Sequence, residues 1–148
     1  VRNREWRLSE SCFHSMLPAC LGVRELLDWL KENGWTVGLA SSTRRSSVLN
    51  HLEQAGIRDY FSTVITGDMV EHSKPQPDIY LMACRELGAD PTEAYAIEDS
   101  PNGIRSAHAA GMFPLMVPDM IAPDEEMRRL SSCIFKDLFE VLEYFNNK

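Results

Sequence analysis

The chain has 148 residues, 44% of them hydrophobic and 25% charged, which is the composition of one globular domain with a core of its own. Its formal net charge of −7 at pH 7 argues against nucleic acid or an anionic membrane surface as the main partner. No apolar run approaches the length of a membrane-spanning helix. The 4 cysteines form no CxxC pair and no zinc-type spacing, so we expect free thiols and a cytoplasmic location.

The first sixteen residues mix charged side chains with Trp6, Leu8, Phe13 and Met16, a pattern that predicts the tail of a helix. From Val23 onward, helices and strands alternate. Strands are predicted at 35–40, within 61–66, at 94–97 and at 113–117, with a short edge strand at 133–135. Helices are predicted from residue 23, after residues 43 and 77, and at 104–110, 123–130 and 138–145. This alternation predicts an α/β fold in which a doubly wound parallel sheet lies between two layers of helices.

The segment 94–103, AYAIEDSPNG, carries the strongest chemical signal in the chain. An apolar strand ends at Glu98 and Asp99, and Ser100-Pro101 then suits the start of a helix. In open α/β sheets the carboxyl ends of the strands form the edge where ligands bind. Two adjacent carboxylates there predict a hard cation such as Mg²⁺ between them. The alternative is that one of the acids only caps the helix.

Two other strands bring polar groups to the same edge. The strand at 35–40 runs into Ser41 and Ser42, and the next strand leads through a loop to Lys74. Hydroxyls at a helix start, a lysine and a carboxylate pair suit a phosphate group and its metal ion. Each signal also has a plain structural explanation, because the serines could cap a helix and the lysine could lie in solvent.

Taken together, these segments resemble the haloacid dehalogenase (HAD) superfamily, in particular its β-phosphoglucomutase-like phosphatase branch. The resemblance covers about residues 20–145 and has the three-layer Rossmann-like core as its fold. It rests on four phrases: GVRELLDWL at 22–30, GLASST at 38–43, GDMVEHSKPQPDIY at 67–80 and AIEDSPNGIRSAHAAG at 96–111.

The resemblance implies a role for each site residue. Ser41 is implied as a catalytic phosphate ligand, with Ser42 adding a backbone contact. Lys74 is implied as the lysine that stabilises the transferring phosphoryl group. Asp99 is implied as the Mg²⁺ ligand, and Glu98 as a second ligand or a neighbour of the site.

One motif of the superfamily is missing from the chain. Its first motif is a DxD strand at the sheet's centre, where the first Asp is the nucleophile, and no DxD occurs in residues 1–148. We therefore expect a core without its first, central strand, without the substrate-selecting helical cap and without a nucleophile. Residues 1–16 are interpreted as a remnant of that cap or its linker, and residues 17–148 as the core.

The function that follows is that of a Mg²⁺-dependent HAD phosphohydrolase for small phosphorylated metabolites such as sugar phosphates, which works through an aspartyl-phosphate. The chain alone is expected to be inactive, and to bind the missing N-terminal segment or associate with itself. Two alternatives stay open: a phosphomutase of the β-phosphoglucomutase type, and a non-catalytic phosphate-binding remnant.

Overall fold

The computed structural model describes residues 5–9, as a backbone strand, together with residues 21–119 and 121–148. Within these ranges there are six strands and six α-helices. The strands are β1 (Glu5–Ser9), β2 (Thr36–Ser41), β3 (Thr63–Thr66), β4 (Ala94–Glu98), β5 (Phe113–Met116) and β6 (Cys133–Ile134). The helices are α1 (Val23–Glu32), α2 (Arg45–Gln54), α3 (Asp78–Leu87), α4 (Pro101–Ala109), α5 (Glu125–Leu130) and α6 (Leu138–Asn146).

The six strands form one sheet in the order β3-β2-β1-β4-β5-β6, and every neighbouring pair is parallel. The predicted α/β fold with a parallel sheet is therefore confirmed. Each strand predicted from residue 35 onward is present, and so is each predicted helix. Because all strands run the same way, their carboxyl ends lie along one edge of the sheet.

The centre of the sheet differs from the prediction. We expected no strand between β2 and β4, but β1 pairs with both of them, for instance Leu8 with Leu39 on one side and with Ile97 on the other. Trp6 and Leu8 are two residues apart, a spacing that suits a strand better than a helix. A strand here also supplies partners for the inner N–H and C=O groups of β2 and β4. The predicted cap remnant is thus wrong for residues 5–9, and the rest of 1–16 lies outside the described residues.

Two buried clusters, one on each face of the sheet, establish the three layers. Strand residues alternate between them, because Leu39 and Val64 join one cluster and Ala40 and Ile65 the other. The first cluster contains the apolar faces of α1, α2 and α6, and the second those of α3 and α4. Small residues such as Ala94 and Ala96 on the second face let those helices lie close to the sheet.

None of the described helices has the length and apolar character needed to cross a membrane. The short predicted edge strand is present as β6, which pairs with β5. Its partner β5 pairs in turn with β4, so Glu98 lies opposite Met116 at the carboxyl edge. The sheet thus positions the last residues of β2, β3 and β4 along one edge, where the predicted site residues lie.

Candidate functional site

Four of the described strands end in polar residues, and besides β1, which ends at Ser9, they are β2 at Ser41, β3 at Thr66 and β4 at Glu98. The side chains of these last three lie at the carboxyl edge. All three residues are fully buried. In a sheet buried on both faces a polar residue is retained only where it has hydrogen-bond partners, so each of these positions carries a specific contact.

The loop after β2 folds back over its own serine. The Ser41 Oγ accepts a hydrogen bond from the Thr43 N–H at 3.0 Å. A hydroxyl that accepts one bond can still donate its proton, which is the role predicted for Ser41 towards phosphate. Helix α2 begins at Arg45, and its N-cap residue Arg44 makes no side-chain cap hydrogen bond. The alternative explanation of Ser41 and Ser42 as caps of α2 is therefore wrong.

This loop lies directly against the loop after β3. A Cβ atom at Gly67 would come within 2.4 Å of the Ser42 carbonyl oxygen, so only glycine fits there. The Gly67 N–H in turn donates to the Thr43 carbonyl at 3.3 Å. Ser42 itself is exposed. The close approach leaves its carbonyl against the neighbouring loop while its side chain stays at the surface.

A carboxylate next to this contact links the same two loops. The Thr66 hydroxyl donates to Asp68 at 2.5 Å, and the Arg45 N–H at the start of α2 approaches the other Asp68 oxygen at 3.5 Å. The hydrogen bond from Thr66 lowers the pKa of Asp68, and the Arg45 backbone contributes in the same direction. Asp68 therefore stays ionised and supports the start of α2.

Lys74 does not lie in solvent. Its Nζ donates to Glu98 Oε1 at 2.6 Å, with 8% of the lysine side chain and none of the glutamate side chain exposed. The alternative of a solvated surface lysine is therefore wrong. Lys74 comes from the loop before α3 and Glu98 from the end of β4, so the ion pair brings two predicted site residues together at the edge of the sheet.

Two residues that the sequence analysis did not single out surround the Glu98 carboxylate. The Tyr80 hydroxyl donates to Glu98 Oε1, the same oxygen that Lys74 contacts. On the other side a Cβ at Gly103 would lie 1.9 Å from Glu98 Oε2, so the first turn of α4 passes directly over the carboxylate. In the sequence, Tyr80 matches the apolar face of a helix and Gly103 resembles ordinary loop residues, so neither gave a separate signal.

The loop that carries Lys74 is attached at both ends. The Ser106 hydroxyl, buried in α4, donates to the Gln76 carbonyl at 2.6 Å. Before the lysine, His72 contacts the Asp78 carboxylate through its Nδ1 at 3.0 Å. The Gln76 N–H also closes a turn onto Ser73. These bonds fix the backbone on both sides of Lys74.

At the carboxylate pair, Ser100 is the residue that caps α4. Its Oγ accepts from the Gly103 N–H at 3.1 Å, and Pro101 occupies the first helical position, as predicted. Neither acid is needed as the cap. Asp99 is half-buried at the edge and offers the hard oxygen donor that Mg²⁺ prefers, whereas Glu98 Oε1 is already bound by Lys74 and Tyr80.

A complete metal centre cannot be assembled from these side chains alone. In the ranges that the structure describes, no group of three or more His, Cys, Asp or Glu side chains is arranged to hold a metal ion. Asp99 fits Mg²⁺ as one ligand, and its other ligands would have to be backbone or water oxygens or residues outside those ranges. The Mg²⁺ roles of Glu98 and Asp99 therefore remain predictions.

Comparison with known proteins connects this edge to a family. A protein-family model described as "Haloacid dehalogenase-like hydrolase" matches residues 3–117, which are most of the chain and include every site residue named above. Among curated relatives, YhcW of Bacillus subtilis is 37% identical over 131 residues, which are 86% of this chain and 60% of that protein. The phosphorylated carbohydrates phosphatase of Thermotoga maritima is 34% identical over 100 residues, covering 68% and 46%.

Among solved structures, a Thermotoga maritima protein proposed to be a beta-phosphoglucomutase superposes with a TM-score of 0.79. The two are 27% identical, and the match covers 86% of this chain and 59% of the other. The chain thus spans about half to three fifths of the length of the curated relatives it matches.

Proposed function

The chain belongs to the haloacid dehalogenase-like hydrolase family, in the branch that includes β-phosphoglucomutase, and from this we propose that its carboxyl-edge site binds the phosphoryl group of a small phosphorylated metabolite. Sugar phosphates are the proposed class of substrate, because a relative that matches 68% of this chain is named for phosphorylated carbohydrates. The observation that carries the proposal is the Lys74 ammonium, held at 2.6 Å on a buried carboxylate at this edge.

Each residue has a distinct part in this proposal. Ser41 donates its hydroxyl to a phosphate oxygen, and the Ser42 backbone N–H adds a second donor. The Lys74 ammonium offsets the charge that accumulates on the phosphoryl oxygens during transfer. Asp99 would hold Mg²⁺, which when bound neutralises phosphate charge. Glu98 then serves chiefly as the anchor of Lys74, because its Oε1 is occupied.

For the whole protein we propose Mg²⁺-dependent hydrolysis through an aspartyl-phosphate. Its aspartate would have to reach the carboxyl edge from outside these 148 residues without a strand of its own between β2 and β4, because β1 occupies that place. The sequence has no DxD, so the chain alone should bind phosphate without turning substrate over. The cap that separates a phosphatase from a phosphomutase is not represented among the described elements, and the phosphomutase therefore stays an alternative. A cytoplasmic location stays a prediction from the cysteine spacing.

The test is a calorimetric titration of the chain with inorganic phosphate, with and without Mg²⁺. We expect K74M and S41A each to weaken phosphate binding about tenfold, since each removes a hydrogen bond to a charged ligand. Mg²⁺ should strengthen binding in the unmodified chain but not in D99N. Matched controls are K136M and S46A, which change an exposed lysine and an exposed serine elsewhere on the surface.

Equal phosphate affinity in the unmodified chain and in K74M would contradict the site. Hydrolysis of p-nitrophenyl phosphate by the chain should not exceed the rate in buffer without protein. Turnover that disappears in S41A would show instead that these 148 residues hold a nucleophile of their own.

A further inference from the structure

Tyr80 occupies an unusual place for a buried tyrosine. It lies in the first turn of α3, is completely buried and belongs to the core cluster on that face of the sheet. Its hydroxyl is hydrogen-bonded to a carboxylate. It donates to Glu98 Oε1, the oxygen that also accepts from Lys74.

The ring of Tyr80 is also in contact with the same lysine. The Lys74 Nζ lies 5.1 Å from the ring centroid, a distance at which the electron-rich face of the ring attracts a cation. Tyr80 therefore contacts both members of the ion pair, the glutamate through its hydroxyl and the lysine through its ring. The ammonium is held between a carboxylate and an aromatic face.

A neutral donor on the shared oxygen changes what the glutamate can do. Hydrogen bonding to the phenol fixes the orientation of the carboxylate and takes up part of the negative charge on Oε1. Glu98 then holds Lys74 in place without neutralising it fully. A cation that is fixed but only partly compensated is suited to bind an incoming oxyanion.

Resting on the phosphate site proposed above, we infer that Tyr80 is a positioning residue, which acts through Glu98 to fix the Lys74 ammonium for the phosphoryl group. The competing explanation is that Tyr80 only fills the core and that its hydroxyl bonds to the nearest acceptor. The two differ in one respect: a core residue affects phosphate binding whether or not Lys74 is present, whereas a positioning residue needs Lys74.

The chain contains a matched control for this arrangement. The Tyr60 hydroxyl donates to the Asp28 carboxylate, and Lys31 Nζ lies 5.6 Å from the Tyr60 ring centroid. This second set of tyrosine, carboxylate and lysine precedes β3 and has an exposed carboxylate and an exposed lysine. Y60F therefore removes a phenol hydroxyl of the same kind, away from the proposed site.

The first measurement needs no ligand. In the free chain the ammonium protons of Lys74 should exchange slowly with water because they are buried against Glu98, and their nitrogen signal can be assigned by its loss in K74M. We expect Y80F to broaden or shift this signal and Y60F to leave it unchanged. Circular dichroism and thermal unfolding establish that both variants are folded.

The second measurement is a double-mutant cycle on phosphate affinity, with inorganic phosphate as the probe. We expect Y80F to weaken phosphate binding about fivefold when Lys74 is present and to have no effect on it in the K74M background. Y60F should leave the phosphate affinity unchanged in both backgrounds.

An unchanged Lys74 signal in Y80F, or equal effects of Y80F with and without Lys74, would overturn the inference. If Y80F changes the Lys74 signal but the unmodified chain binds no phosphate, Tyr80 still positions Lys74 and it is the proposed phosphate site that fails.

Discussion

Gly103 shows how closely the site is built around one carboxylate. The position is helical, and its φ lies outside the left-handed region that favours glycine. What requires glycine is contact, since a Cβ there would lie 1.9 Å from Glu98 Oε2 and 2.1 Å from its Cδ. The first turn of α4 can approach the end of β4 only because this side chain is absent.

We therefore predict that Gly103→Ala destabilises the chain by up to about 2 kcal/mol. Alanine would otherwise favour a helix by about 1 kcal/mol, but the clash with a buried carboxylate costs about 1–3 kcal/mol or displaces Glu98. Urea unfolding measures the difference. The control is Gly38→Ala, whose Cβ would meet side-chain carbons of Leu87 and Thr63 at 3.1 Å and the Thr63 carbonyl oxygen at an ordinary 3.7 Å, and should cost less. A stabilised Gly103→Ala would show that Glu98 does not occupy this position.

At this scale the sequence predicted the residues at strand ends and Lys74 in the loop before α3, and it missed the two helix residues that contact the Glu98 carboxylate. Ser41 and Glu98 follow apolar runs, so their place at the edge could be inferred from the pattern alone. Tyr80 could not, because an aromatic residue on the apolar face of a helix predicts only burial. Whether its hydroxyl meets a backbone carbonyl or a carboxylate depends on how α3 packs against β4, which no local pattern records.

Helices α4 and α5 are joined by a two-pronged ion pair on the outer side of the site. Arg105 donates to Glu126 through Nε at 3.0 Å and through Nη2 at 2.6 Å, and its third contact is with Asn102. The hydrogen bonds from Arg105 lower the pKa of Glu126 below its ordinary value of 4.5. The short α5, which is only 6 residues long, depends on such contacts because it has little helix of its own.

The sign of the pH dependence of folding stability follows from this lowered pKa of Glu126. Because the pKa of Glu126 is lower in the folded than in the unfolded chain, the contribution to stability is present above about pH 4.5 and lost as the pH falls through the lower, folded value. We predict that E126Q lowers the melting temperature at pH 6 and that the difference narrows below pH 4.5. E86Q serves as the control, since Glu86 makes only a 4.0 Å contact with Arg85 at the surface. A difference that stays constant with pH would contradict the role of the ion pair.

The helices and strands were predictable wherever a proline or a glycine marks their boundaries. Pro101 starts α4 and Gly88 follows α3 in the left-handed conformation, so both boundaries could be inferred from single residues. The first strand was not predicted, because Trp6 and Leu8 lie in a short charged stretch without a nearby glycine or proline on either side. In such a stretch only tertiary pairing decides between a helix and a strand, and β1 pairs with two strands, β2 and β4.

For the whole molecule, β1 is the piece that makes the sheet continuous. Five of its residues pair with β2 and four with β4, so without it the two halves of the sheet would each present an unpaired parallel edge. From the sequence we expected that unpaired state, and self-association as its consequence. With β1 in place the inner edges are paired, and the reason to expect self-association is removed.

Deleting residues 1–9 should remove β1 and leave the inner edges of β2 and β4 unpaired. We predict that this shortened chain unfolds or forms larger assemblies, as measured by circular dichroism and by light scattering after size-exclusion chromatography. Deleting residues 1–4 leaves β1 whole and is the control, which should keep the melting temperature of the full chain. A monomeric, fully folded product of the longer deletion would mean that β2 and β4 can pair with one another directly.

Lys148 and the first strand are both neighbours of Tyr95. Lys148 donates to the Tyr95 hydroxyl at 2.7 Å, and Trp6 is the register partner of Tyr95 in the neighbouring strand. The start of the first strand and the end of the last helix therefore lie near one another, at the side of the sheet away from the phosphate edge. A short Gly/Ser connector from residue 148 to residue 5 would give a circularly permuted protein, with new termini opened in an exposed loop and the ligand-binding edge untouched.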